Sequence, residues 1–194
     1  MLPEDTDPPS AADIPAPVVQ AAVALLRAEG SKGLTARRLA GALGISTKLI
    51  YSRWHGMPGI KRAVYAHGFD LLHEAVSAAL GASPANPLRA AAAAYRGFAT
   101  DEPALFAIMY GLEIGHDLPH PTDRMMAVAT LDLLVSRFQE ADDPLDQARG
   151  FWAAMHGVVS LEAAGWFDAA EATARLDAVA ARAEHGLRAA GRAT

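Results

Sequence analysis

The stretch GISTKLIYSRW, residues 44–54, places a hydroxyl, a cation and a phenol at Thr47, Lys48 and Tyr51. Ser46 is a good helix N-cap, and a helix begun there carries Ile50 and Trp54, four apart, on one face. Those two go inward with Ile45, which leaves Thr47, Lys48 and Tyr51 facing solvent. Such a face suits nucleic acid. Lysine reaches guanine O6 and N7, threonine bonds either base type or touches a thymine methyl, and tyrosine donates to phosphate. Thr35 adds its own hydroxyl and the backbone donors of another helix N-terminus, a ready anion site, with Arg37 and Arg38 just behind it. Arg53 and Lys61 complete the expected DNA-contacting set.

A helix of fewer than about three turns is marginal in water, so packing must hold this one. Thr35 caps the helix before it, with Leu34 and Leu39 at the spacing of a hydrophobic staple, and the device repeats with Ile45, Ser46 and Ile50. Gly44-Ile45 joins the two, and small Ala40 sits where they would cross closely. That pattern predicts a tight helix-turn-helix with the third helix as recognition helix. Upstream, Val18, Ala21, Ala22, Leu25 and Leu26 form the stripe of a first helix closed by Gly30.

Downstream, Pro58 opens a long fourth helix through about residue 80. Asn86-Pro87 opens a fifth, with Leu88, Ala91, Ala92, Tyr95, Phe98 and Ala99 as its apolar side. Pro103 opens a short sixth carrying Leu105, Phe106 and Met109, and Thr122 caps a seventh carrying Met126, Leu133, Leu134 and Phe138. Pro144 opens an eighth, to about Gly165, and a ninth covers about residues 170–190. No segment alternates with period two for long, so no strands are expected: the fold class is all-α, with about nine helices. Residues 1–15, acidic and Pro-rich, are expected to be a disordered tail, 16–62 the DNA-binding domain and 63–194 a larger C-terminal bundle.

The net charge of −5 argues at first against a polyanionic partner, but the charge is segregated. Between Arg27 and Arg62 eight cations face one acid, Glu29, a local +7 that marks this segment as the one to meet phosphate. The chain has no cysteine, which excludes disulfides, thiolate metal sites and a cysteine nucleophile. Its first residues carry acids in place of a basic start, and no run approaches a membrane span, so a cytoplasmic protein without a signal peptide or membrane partner is expected.

In the eighth helix Ala153, Gly157, Ser160 and Ala164 make a ridge of small residues that lets another helix approach closely. With Leu176, Val179 and Ala183 of the ninth-helix stripe, which also holds Ala172, Ala180 and Leu187, it predicts a four-helix bundle about a two-fold axis, against packing of both stripes inside one subunit. Tyr95, Phe98, Phe106, Met109, Met126, Trp152, Met155 and His156 are candidate lining for an apolar cavity, although an aromatic and methionine stripe is ordinarily core. Glu113, His116, Asp117 and His120 suggest a metal site only until Pro119 is noticed, which breaks the spacing that would pair the histidines. Neither a phosphate-cradling glycine loop nor a G-x-S-x-G elbow is present. No metal, cofactor or catalytic residue is expected.

The run LLRAEGSKGLTARRLAGALGISTKLIYSRW resembles the DNA-binding domain of TetR-type transcriptional regulators over about residues 18–75, with their E-G, G-L-T, L-A-x-x-L-G-I-S and L-Y-x-x-F elements. The last appears here as Ile50-Tyr51 and Trp54. Where that family usually carries a phosphate-bonding lysine at the start of helix four, this chain has Met57, which leaves the backbone amides there or Lys61 to substitute. FWAAMHGVVSLEAAGWF, with Trp152, His156 and Gly157, resembles one branch of the family's C-terminal domains. The resemblance implies an all-α homodimeric repressor that binds double-stranded operator DNA and is released by a small effector held in its C-terminal domain. The rival class is an all-α enzyme or small-molecule binder without DNA binding, drawing on His156 and Glu162. The cationic 27–62 segment, which an enzyme would not need, separates the two.

Overall fold

Caps set the helix boundaries. In the computed structural model, which describes residues 13–110 and 121–190, α1 (Ala16–Glu29) opens with Pro17 in its first turn and closes at Gly30, φ +66. A 3-10 turn, Ser31–Gly33, leads to α2 (Ala36–Leu43). The Arg38 N–H donates to Thr35 Oγ1 at 3.4 Å, and left-handed Gly44 ends the helix. α3 (Thr47–Trp54) repeats the device, its Leu49 N–H donating to Ser46 Oγ at 3.3 Å. There follow α4 (Gly56–Ala82), α5 (Pro87–Asp101), α6 (Pro103–Met109), α7 (Pro121–Val135), α8 (Pro144–Ala163) and α9 (Ala169–Ala190), and no strand among the described residues. The all-α expectation is met.

Three boundaries differ from the sequence reading. α4 begins at Gly56 and ends at Ala82, so Pro58 is its third residue instead of its opener. The first four N–H groups of a helix have no intrahelical partner, so proline is accepted anywhere in that turn. α7 begins at Pro121, which makes Thr122 a helical residue instead of the cap. Proline's fixed φ suits a first helical position. Phe138 lies past the end of α7, yet it is buried: the Arg137 and Phe138 N–H groups bond back to Leu134 and Val135, folding the ring inward to 6.0 Å from that of Phe151.

The chain divides into two compact units, Met1–Phe69 with Glu102–Met126, and Asp70–Asp101 with Ala127–Thr194. In the first, Ala22 and Leu26 of α1, Leu39 of α2, Ile50 of α3 and Ile60 and Val64 of α4 have no exposed surface. Burying each of the larger side chains stabilises by about 1.5–3 kcal/mol. α6 belongs to this unit through three devices. Rings meet in series, Tyr65 tilted against Phe69 (4.9 Å), Phe69 edge-on to Tyr110 (5.8 Å) and Tyr110 tilted against Phe106 (4.7 Å). Gly68 lets Met109 in so closely that a Cβ there would lie 2.6 Å from its Sδ. Arg27 in the last turn of α1 donates twice to Glu102, which opens α6, at 2.9 and 2.5 Å.

In the second unit α5, α8 and α9 pack together. The whole apolar side expected of α5, Leu88, Ala91, Ala92, Tyr95, Phe98 and Ala99, is buried. Ala148, Phe151, Met155 and Val159 of α8 and Ala172, Leu176 and Ala180 of α9 are buried as well. Arg96 of α5 grips Glu162 of α8 with two bonds (2.7 and 2.5 Å) and reaches Thr173 of α9 at 3.3 Å.

The tightest backbone approach in the first unit is at Gly59, where a Cβ would fall 1.9 Å from the Trp54 carbonyl oxygen. At Gly41, in α2, an added Cβ meets nothing within 4 Å. Gly59→Ala is expected to cost about 1–3 kcal/mol by overpacking, and Gly41→Ala to add about 0.5–1 kcal/mol by removing a helix-interior glycine. Urea unfolding of the two variants must therefore shift in opposite directions.

Candidate nucleic-acid interface

The candidate recognition face on α3 is exposed to solvent. Ile50 is fully buried and Trp54 nearly so, while Ser46, Thr47, Lys48, Tyr51 and Arg53 are exposed. Ser46 faces solvent but its hydroxyl is engaged in the cap of α3. Tyr51, 62% exposed, does not swing freely at its base: a Cβ at Gly56 would lie 3.0 Å from its ring carbons. His55 (φ +53) and Gly56 (φ +74) are consecutive positive-φ residues, and this abrupt corner brings the start of α4 under the ring. Glycine is required there twice over, for its φ and for the absent side chain.

Six of the eight cations fall into two groups. Arg37, Lys48, Arg53 and the half-buried Lys61 have no carboxylate partner among the described residues. Arg27 is committed to Glu102, whose hydrogen bonds raise the arginine's pKa above its ordinary value, and Arg38 is paired with Glu29. Neither pair is signalled by the sequence, since their partners lie 75 and nine positions apart with no periodic relation. Met57 occupies the first turn of α4 and is half-buried.

The candidate cavity residues separate. Tyr95, Phe98, Trp152, Met155 and His156 belong to the second unit. There Tyr95 Oη is 2.9 Å from His156 Nδ1, and Ser160 Oγ is 3.4 Å from His156 Nε2. A neutral ring that accepts from Tyr95 and donates to Ser160 satisfies both contacts, and burial holds the His156 pKa below its ordinary 6.5. Phe106 and Met109 belong to the first unit, where both are buried, Met109 against Gly68 of α4 and Phe106 against Tyr110. The Met126 side chain, and Glu113, His116, Asp117 and His120, lie outside the described residues.

The candidate contact face on α8 and α9 is also divided. Ala153 and Ala164 are exposed, Gly157 and Ser160 half-buried, and an added Cβ at Gly157 meets nothing within 4 Å. Val179 and Ala183 line an open groove of about 250 Å³ with Gly150, Phe151, Ala154 and Arg182. Leu176 is buried within its own chain and stands apart from that exposed ridge. The stripe of α9 is wide enough to be split between inward and outward sides.

An all-α chain carrying a doubly capped helix-turn-helix is the architecture of a helix-turn-helix regulator. Residues 88–187, just over half of the chain, match the tetracycline repressor-like C-terminal domain, and the chain belongs to that TetR family of transcriptional regulators. An uncharacterised HTH-type transcriptional regulator of Mycobacterium tuberculosis is 27% identical over 154 residues, covering 78% of this chain and 71% of that protein. A solved structure of a protein of unknown function from Rhodococcus sp. RHA1 superposes with a TM-score of 0.74 at 25% identity, over 87% of this chain and 92% of its own. PfmR, a TetR family transcriptional regulator from Thermus thermophilus, shares the fold with a TM-score of 0.56 at 20% identity, over 88% and 97% of the two chains.

The depressed His156 pKa makes a pH prediction. Below 6.5 the unfolded chain binds a proton at this residue that the folded chain resists, so stability is full above that pH and falls as pH drops through it. Denaturation midpoints measured from about pH 8 to pH 5 should fall less steeply for His156→Gln than for the unaltered chain. Parallel slopes would show that His156 contributes no such linkage.

Proposed function

We propose that this regulator binds operator DNA as a homodimer, inserts α3 into the major groove, and acts as a repressor released by a small, apolar effector. The observation that carries the reading is the exposed Thr47, Lys48 and Tyr51 face on a short helix anchored by buried Ile50 and Trp54. Lys48 is assigned to a base edge, and Thr35, Arg37, Tyr51 and Arg53 to phosphate. The similarity to an HTH-type transcriptional regulator over most of the chain supports it.

Residues 16–62 are taken as the DNA reader and 63–194 as the effector-binding and dimer-forming part. The second copy is expected to pack on the uncharged face of Gly150, Ala153, Ala154, Gly157, Leu161 and Ala164, with Val179 and Ala183 beside it. Two-fold symmetry is needed for a physical reason: one short helix makes too few contacts, and paired recognition helices must enter major grooves about 34–36 Å apart. Trp152, His156 and Gly157 resemble the Trp and His-Gly positions of one branch of the family, which suggests the same pocket for the effector. Trp152, Met155, Tyr95 and Phe98 are the proposed apolar surroundings of the effector. An effector acts only by preferring the state that does not fit DNA, with a coupling typically of about 1–3 kcal/mol.

A gel-shift titration on the DNA flanking its own gene tests the reading, and a chain that leaves this DNA and random duplex equally unbound would sink it. Lys48→Ala should cost about 1–3 kcal/mol on the operator and relax one position per half-site, whereas Tyr51→Phe should weaken all sequences about equally. Equal loss on operator and random DNA would remove Lys48 from base reading. Gly157→Leu places its side chain in open space within the chain, so folding is spared while an apposed helix is pushed away. Sedimentation should then show monomer and weakened operator binding. A Gly157→Leu dimer with unaltered affinity would point to another interface.

A further inference from the structure

Glu29 is the one acid among the eight cations between Arg27 and Arg62. The structure sets its carboxylate against Arg38 Nη1, from the last residue of α1 to the first turn of α2. The approach is built into the backbone between them. A Cβ at Gly33 would fall 2.5 Å from Glu29 Cβ and 3.1 Å from the Leu25 carbonyl oxygen, so the 3-10 turn closes beside Glu29 only because residue 33 has no side chain. Arg38 is held at its backbone as well, where its N–H caps onto Thr35 Oγ1. Its neighbour Arg37 is exposed, with no carboxylate partner among the described residues.

Both partners of the pair are well exposed, Arg38 at 50% and Glu29 at 40%. An exposed ion pair adds little to folding, because water and salt screen it. The same cation beside a DNA backbone is worth more, because each neutralised phosphate releases condensed counterions. That gain is sequence-independent and makes up nearly all non-specific binding, whereas base reading by Lys48 does not depend on it.

We infer that Glu29 competes with phosphate for Arg38 and so lowers affinity for DNA of any sequence. The inference rests on the DNA-binding reading above. Glu29 withholds one positive charge from the interface without removing it from the chain.

The test uses the full-length chain and a random-sequence duplex of roughly 30 bp, titrated by fluorescence anisotropy across about 50–200 mM salt. Glu29→Gln keeps the size of the side chain and removes its charge. Binding should tighten roughly 3–10-fold at the low-salt end, and the slope of log K against log salt should steepen by about 0.9, the value of one added phosphate contact. In an Arg38→Gln background the same Glu29→Gln change should leave binding unaltered, because no cation remains to be released. A gain that persists without Arg38 would mean plain repulsion between Glu29 and DNA and would overturn the inference, as would an unchanged salt slope. If the unaltered chain binds no duplex at low salt, the DNA-binding reading fails and this inference with it. If it binds and Glu29→Gln leaves it unaltered, the inference alone fails.

Discussion

The first unit is organised around an eight-residue helix that cannot exist alone. Nucleating a helix fixes several dihedrals for a single hydrogen bond, so α3 at under three turns must be held by its surroundings. Full burial of Ile50 and near-full burial of Trp54 supply that hold, with the Ser46 cap at one end and the approach of Gly59 to the Trp54 carbonyl at the other. The constraint also decides which side chains can be exposed. Once positions 50 and 54 point inward on a helix of 3.6 residues per turn, 48 falls on the far side and 51 on the flank, while 47, three before 50, is exposed because it is the first residue of α3. Burial of Ile50 and Trp54 both holds the helix and turns Lys48 to solvent.

That requirement extends to α6, although its residues come more than forty positions after α3. Arg27 stands at the negative end of the α1 dipole and Glu102 at the positive end of α6, so each charge complements its own helix as well as its partner. Gly68 then removes the side chain that would hold α4 and α6 apart. A chain that reads as a three-helix domain followed by a bundle is therefore grouped differently by packing: α6 joins the helices that carry the candidate DNA-contacting residues.

Elements governed by local rules were legible. Thr35 and Ser46 were visible as caps because a hydroxyl before a stapled pair of apolar residues has few other uses, and every residue expected on the apolar side of α5 is buried. The exposure of Lys48 followed from the same periodicity, and that of Thr47 from its place at the start of α3. Tertiary choices were not legible. Pro58 gives no sign of whether it is the first or third residue of its helix, since the whole first turn lacks intrahelical partners. Phe138 was placed on a helix that had already ended, because a ring folded under by a turn keeps the spacing of a helical one. Leu176 and Val179 share a stripe in sequence, yet only packing against α5 and α8 decides that the first is buried and the second partly open.

Ion pairs show most clearly why residue type does not settle role. Arg96 and Glu162 form a doubly bonded pair with side chains only 23% and 18% exposed, joined by Thr173, so that three helices meet at one guanidinium. Removing either partner there leaves a largely desolvated charge uncompensated, which makes the pair a brace that the fold cannot lightly exchange. Arg38 and Glu29 are the same two residue types in water. Nothing is stranded when they separate, so an incoming phosphate can take the arginine at little cost to the fold. The degree of burial, set by residues elsewhere in the chain, decides which arginine belongs to the architecture and which remains available to a partner.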